Sequence, residues 1–243
     1  MILTAFKPYG MTPKELVDEY KKKYGFDKGA FSGRLDPMAC GITKIYLGDK
    51  CSMAHISNKL GKTYRFIMVL GIGSTSYDLL GFPTVSNENP IGFDASVIKV
   101  GNVVQNQPIH SSFMVSNKEG IRNPLWWWAL HNRIEEVNVP SFNRILYKYE
   151  ILREFTMTFG DIRNIAKERI GLINSKHNFN QKEILEAWEK VVCTTHYTAI
   201  EIKVDVSSGF YIRQLVHDIG KAHGTDAITI EIERLGYEGD EKN

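Results

Sequence analysis

Between Ile200 and Ile232 the apolar periodicity changes twice, and this restricts the folds open to the chain more than any other feature. Ile200, Ile202, Val204 and Val206 alternate with Glu201, Lys203 and Asp205, so an extended strand buries one face and keeps the other polar. Ser207-Ser208-Gly209 makes a turn, residues 210–223 carry helical spacing ended by Gly224, and Ile228, Ile230 and Ile232 resume the period of two. A strand, a helix and a closing strand in this order require a sheet with a helix on its face.

Upstream, residues 12–24 read as a helix. Thr12 caps it, Pro13 takes the first helical position, Glu15 completes a capping box and Gly25 stops it. Leu16, Val17 and Tyr20 form the apolar stripe, and Lys21-Lys22-Lys23 sit at the negative end of the dipole. A second helix is expected over 49–60, with Met53, Ile56 and Leu60 facing inward. Residues 62–70 place Tyr64, Phe66, Met68 and Leu70 on one face of a strand. The stretch 71–95 is rich in Gly, Ser, Asn and Pro and reads as loop with interrupted structure. No element is assigned over 97–147, although Trp126-Trp127-Trp128 suggests a helix packed onto the sheet. Residues 145–159 read as extended, and 161–173 and 181–192 as helical, the second with Ile184, Leu185, Trp188 and Val191 along one face. Strands and helices without βαβ regularity predict an α+β class around a mainly antiparallel sheet.

The 243 residues, 43% hydrophobic and 24% charged, suffice for a large core and exclude wholesale disorder. A net charge of +2 is too small to point to nucleic acid by itself. The three cysteines, Cys40, Cys51 and Cys193, have no C-x-x-C spacing and read as reduced thiols rather than a disulfide frame or zinc site. No apolar run reaches membrane-spanning length, and Met-Ile-Leu-Thr-Ala-Phe-Lys-Pro is no leader. The expectation is a soluble cytoplasmic protein with no membrane partner.

Gly-Arg-Leu-Asp-Pro-Met-Ala-Cys-Gly, residues 33–41, holds the most pointed chemistry. Pro37 restricts Asp36 to extended backbone, and Gly33 and Gly41 permit tight turns on either side. The result is a short carboxylate on a stiff, shaped loop. Leu-Asp-Pro alone is also an ordinary loop tripeptide, so the reading depends on three further segments. These are Lys-Pro-Tyr-Gly-Met-Thr (7–12), Gly-Lys-Thr-Tyr-Arg-Phe (61–66) and Ser-Gly-Phe-Tyr-Ile-Arg-Gln-Leu (208–215).

In that order the four segments resemble the TruB family of tRNA pseudouridine synthases, from about Ile2 to Tyr237. The match is weakest between about 82 and 195, and beside the bacterial pattern 160–195 reads as an inserted helical pair. The resemblance implies a pseudouridine synthase fold over 1–237 and, with only 238–243 beyond it, no C-terminal PUA domain. It implies isomerisation of uridine in RNA, at position 55 in the T loop of tRNA, by a monomer needing no cofactor or metal. Two other readings stay open: an RNA-folding chaperone of the same fold, and a synthase acting on a transcript other than tRNA.

That chemistry needs a carboxylate at the ribose, a group that keeps it ionised, and a pocket for an extruded base. By resemblance Asp36 is the catalytic carboxylate, by attack at C1′ or by proton removal at C2′. Arg213, in the first turn after Ser-Ser-Gly, faces it, and a guanidinium pairs bidentately with a carboxylate. Tyr64 stacks on the base and is the candidate for removing the C5 proton, while Tyr211 and Ile232 shape the pocket. Lys7, Lys62 and Arg65 fall on basic family positions suited to scaffold or phosphate contact, and Arg34 and Phe31 complete the substrate-binding set. Phe31 stands where the family usually has His. Gln-Pro-Ile-His-Ser-Ser-Phe-Met (107–114) stands for Pro-Pro-x-Tyr-Ser-Ala-x-Lys, with His110 for the Tyr and Met114 for the Lys.

Overall fold

The computed structural model describes residues 1–86, 91–193 and 196–240. The chain begins with β1 (Ile2–Lys7), α1 (Pro13–Tyr24), β2 (Gly29–Ser32), β3 (Cys40–Leu47), α2 (Ala54–Asn58) and β4 (Lys62–Leu70). Next come β5 (Ile72–Ser74), β6 (Pro83–Val85), β7 (Gly101–Asn106), β8 (Met114–Ser116), β9 (Arg122–Pro124) and α3 (Leu125–Leu130). The last part holds β10 (Ser141–Thr158), α4 (Phe159–Gly171), α5 (Gln181–Lys190), β11 (His196–Val206), α6 (Ile212–Ala222) and β12 (Ala227–Tyr237).

Eight strands form the central sheet in the order β1-β3-β12-β4-β11-β10-β7, with β2 also paired to β3. Its pairings are antiparallel except for a short parallel contact between β12 and β3. The α+β expectation therefore holds. β4 lies mid-sheet, so its alternation sorts side chains between two cores. Tyr64, Phe66, Met68 and Leu70 join Ile200, Ile202, Val204 and Val206 beneath Ile212, Leu215, Val216 and Ile219 of α6. Ile67 and Val69 point the other way, into a core closed by Ile162, Ala166 and Ile170 of α4 and Trp188 of α5. Each large apolar side chain fully buried here contributes about 1.5–3 kcal/mol. A smaller core sets Leu16 and Val17 of α1 against Ala5, Ile45 and Leu47.

Two expectations need correction. Residues 49–60 are not one helix: a 3-10 segment over Gly48–Met53 precedes the short α2, and Met53 and Ile56 are exposed. Cys51 Sγ donates to Tyr46 O and Ser52 Oγ to Asp49 O, tightening the first turns. Three residues per turn then rotate Met53 and Ile56 off the inner face. The tryptophans do form a helix, α3, but it packs within the excursion between β7 and β10. Trp128 is buried and donates its indole N–H to Asn123 O, Trp127 stacks on His131, and Trp126 stays partly exposed. The stretch 71–95 contains the β5–β6 pair, and residues 87–90 of it lie outside the described residues.

Arg234 is fully buried where β12 meets β3. Its guanidinium donates to Ile42 O at 2.7 Å, Gly33 O at 2.9 Å and Thr43 Oγ1 at 3.0 Å. Gly41 has φ +120°, and a Cβ there would lie 2.3 Å from Arg234 O, so only glycine lets the strands approach. This junction suspends the loop that carries Asp36.

At the start of α1, Glu15 accepts from Thr12 N at 2.9 Å and Thr12 Oγ1 at 2.8 Å, and pairs with Lys176 at 3.2 Å. Burial pushes its carboxyl up, but hydrogen bonds from Thr12, Lys176 and His177 win and bring its pKa from 4.5 to about 2. A depressed folded-state pKa gives stability that is present above 4.5 and lost as pH falls towards 2. Glu15→Gln should cost about 2 kcal/mol at neutral pH. It should also flatten the loss of stability between pH 4.5 and 2, as read by urea unfolding across that range.

Candidate active site

The Asp36 loop is fixed at several points before its carboxylate meets anything. Gly33, at φ +65°, donates its N–H to Asn58 Oδ1 at 2.6 Å. Ala39 N donates to Asp36 O at 3.0 Å, closing the turn over Pro37, and Gly10 N donates to Pro37 O at 2.8 Å. Leu35 and Met38 are buried on either side. The carboxylate is thereby held at the mouth of a cleft of about 280 Å³. Asp36, Tyr64, Tyr211, Arg213 and Ile232 all line that cleft, as does the exposed Arg34.

Arg213 enters from the first turn of α6 and is only 3% exposed. Its Nη2 and Nε lie 2.7 Å and 3.0 Å from the same oxygen, Asp36 Oδ2. The fork thus closes on one oxygen and leaves Oδ1 to the cleft. Nη1 donates to Ser76 O at 2.6 Å, Nη2 also reaches His110 O at 3.4 Å, and Nε lies 3.4 Å from Asp78 Oδ2. Two carboxylates outweigh the cost of burial and hold the guanidinium firmly protonated. Asp78 is buried and accepts from Ser76 Oγ at 2.6 Å and Leu80 N at 2.9 Å. Burial pushes its carboxyl pKa up against the pull of Arg213.

Tyr64 reaches the cleft from β4, beside β11 and β12, and Ile232 from β12. Tyr211 is held by its backbone: Tyr211 N donates to Gln105 Oε1 at 3.0 Å, and Gln105 Nε2 donates to Tyr211 O at 3.1 Å. One buried carboxamide therefore replaces a strand partner for the residue that opens α6. Burial, reinforced by the charge of Asp36, raises the pKa of the Tyr211 phenol.

The basic residues divide. Lys62 lines the cleft but is buried, donating to Asn58 O and Leu60 O, and burial beside Arg234 lowers its pKa to about 8. Lys7 is buried behind the loop, where Nζ donates to Pro8 O at 2.9 Å and Met11 O at 2.7 Å. Desolvation lowers its pKa to about 8 despite Asp36 nearby, and its place is scaffold rather than phosphate contact. Arg65 lies on the opposite face of β4, in ion pairs with Glu201 at 2.6 Å and Glu233 at 2.9 Å. Phe31 packs on the α1 core, directly opposite Ile45 in the β2–β3 register, and does not line the cleft. Arg65 and Phe31 are thus outside the site. His110 lends its carbonyl, while burial and Arg213 bring its imidazole to a pKa of about 4 and keep it neutral. Met114 is exposed on β8.

Asp78, Gln105 and Asn58 are the contributors not singled out from sequence. Asp78 sits in Gly-Ile-Gly-Ser-Thr-Ser-Tyr-Asp, where turn composition hides a buried carboxylate. Among the described residues no group of three or more His, Cys, Asp or Glu converges as a metal site, and no helix is long and apolar enough to cross a membrane.

A carboxylate gripped by a buried arginine, with two tyrosines in the wall, defines a small cleft above an antiparallel sheet. The family model for the TruB family pseudouridylate synthase N-terminal domain matches residues 21–153, and the chain belongs to that family. It is 26% identical to the tRNA pseudouridine synthase B of Thermotoga maritima over 233 residues, covering 96% of this chain and 61% of the relative. The namesake enzyme of Vibrio cholerae is also 26% identical, covering 95% and 60%. The chain thus spans about 60% of the length of these relatives. Among solved structures it resembles one chain of a Cbf5-Nop10-Gar1 complex, with TM-score 0.59 and 18% identity, covering all of this chain and 50% of that one. It likewise resembles a chain of an H/ACA RNP bound to a substrate RNA containing 2′-deoxyuridine, with TM-score 0.53, 17% identity, and 100% and 49% coverage. These two likenesses establish the fold.

Replacing Arg213 by Ala leaves the buried carboxylate of Asp78 without its cation, at a cost of about 3–5 kcal/mol. With its pKa pushed further up, Asp78 is best tolerated protonated, so stability is lost as pH rises through the raised value. The deficit of Arg213→Ala against wild type should therefore be largest at neutral pH and shrink in acid, as measured by urea unfolding at both.

Proposed function

We propose that this chain isomerises uridine to pseudouridine in RNA, and that its substrate is the T-arm stem-loop of tRNA. The observation that carries the reading is the 2.7 Å contact of Arg213 with Asp36 inside a cleft walled by Tyr64 and Tyr211. The family and the names of its relatives support it.

The reaction breaks the bond from C1′ to N1, and the electron pair stays on the uracil. The ring then turns within the cleft, C5 bonds to C1′, and the C5 proton is lost while N1 regains one. Nothing is oxidised and no group leaves. Asp36 Oδ1, the oxygen Arg213 does not engage, is the atom placed to attack C1′ or to take a proton from C2′. Arg213 keeps that carboxylate anionic and its direction fixed. Tyr64 offers an aromatic face for the extruded base, and stacking returns about 1–3 kcal/mol of the cost of flipping. Tyr64 is also the candidate acceptor of the C5 proton. Ile232 forms an apolar floor, and Arg34 at the mouth suits a phosphate.

The test is tritium release from a T-arm hairpin transcript labelled at uridine C5. Wild type should release tritium. Asp36→Asn should fold, bind the hairpin with unchanged Kd and lose about 10³-fold or more in kcat. Binding by wild type without tritium release would favour an RNA-folding chaperone instead. Release from other transcripts but not from the hairpin would move the substrate away from tRNA.

A further inference from the structure

Tyr77 has φ +64°, a left-handed backbone that a residue with a bulky aromatic side chain rarely adopts. It stands between Ser76 and Asp78, the two residues of this loop that Arg213 touches, through a carbonyl at 2.6 Å and a carboxylate at 3.4 Å. The reversed φ at Tyr77 is what turns these two acceptors towards the same guanidinium. A strained residue placed there must be held by its surroundings.

Three contacts hold it. Tyr77 N donates to Ser74 O at 3.1 Å, Thr229 N donates to Tyr77 O at 3.0 Å, and the Tyr77 ring stacks on His217 with centroids 4.0 Å apart and planes 19° off parallel. His217 follows Arg213 by four residues on α6, so both project from one helix face. One turn of α6 thus grips the loop twice, by the guanidinium at Ser76 and Asp78 and by the imidazole ring at the residue between them. Glycine would take the same backbone without strain. What tyrosine adds at this position is the ring.

We propose that the Tyr77–His217 ring pair is a positioning device for the Arg213–Asp36 pair. It locks the strained turn so that Ser76 O and Asp78 fix the guanidinium, which in turn aims Asp36 Oδ1 into the cleft. Neither ring lines the cleft, and the role is one of stacking rather than proton transfer. The kinetic consequence rests on the function proposed above, whereas the structural one does not.

The test compares wild type, His217→Ala, His217→Phe and Tyr77→Gly in the full chain, with two readouts. The first is hydrogen exchange of the Arg213 Nε–H, followed by NMR in protein carrying ¹⁵N-arginine, which needs no substrate. His217→Ala and Tyr77→Gly should both speed that exchange, and His217→Phe, which keeps a stacking ring, should restore it. The second is tritium release from the labelled hairpin. There His217→Ala and Tyr77→Gly should lose about ten-fold or more in kcat with KM unchanged, and His217→Phe should recover most of the loss. Tyr77→Gly guards against misfolding, because glycine suits the left-handed backbone. Exchange and kcat both unchanged in His217→Ala and Tyr77→Gly would overturn the proposal. So would an equal loss in His217→Ala and His217→Phe, which would assign the effect to imidazole chemistry. If wild type releases no tritium, the exchange series still decides the positioning role while the catalytic reading falls.

Discussion

The structure turns on a single buried cation. Arg213 is withdrawn from water almost completely, and a guanidinium in that position is tolerated only when its donors are filled and its charge is met. Asp36 and Asp78 meet the charge, and the carbonyls of Ser76 and His110 take up further donors. Those four partners come from three separate loops, which the one guanidinium ties together. The arginine therefore organises the site as much as it serves it. With Asp78 behind the guanidinium and Asp36 in front, the positive charge is shared along a line that ends in the cleft.

Around that line the walls come from regular structure. Tyr64 and Ile232 project from β4 and β12, neighbours near the middle of the sheet, where both faces are packed and side chains have little freedom. Tyr211 belongs to neither a strand nor the body of a helix, and the Gln105 carboxamide ties it to β7 instead. The groups around the cleft are thus braced, and in the proposed reaction the motion falls to the base. The neutral state of His110 fits the same pattern, since a second cation beside Arg213 would compete for Asp36.

Much of the frame could be read from residue pattern alone. The capping box and terminal glycine of α1, the strand over 62–70 and the β11–α6–β12 unit all have strong local periodicity, and each forms nearly where expected. Residues 49–60 misled because one apolar residue every three or four positions fits helix geometry whether or not a core lies nearby. Arg65 was legible in principle: it is one residue from Tyr64 on a strand, so it must face the opposite side, and three glutamates meet it there. Asp78 was not legible, because burial of a loop carboxylate depends on Arg213, 135 positions away, and no local spacing encodes that contact. The α3 excursion was unreadable for a different reason, since its helix packs on its own hairpin and leaves no sheet-period trace.

Arg234 carries a consequence for the order of events in folding. Its hydrogen bonds to Gly33 and Ile42 close loops of 201 and 192 residues, among the longest separations in the chain. Contacts so remote in sequence form late, after the entropy of closing the intervening chain has been offset by nearer contacts. On a ribosome the segment bearing Asp36 is made early, and its tie to Arg234 waits until β12 has emerged. A chain interrupted before that strand lacks both Arg234 and Ile232 of the cleft wall. The cleft is therefore completed only when the last strand of the sheet is in place.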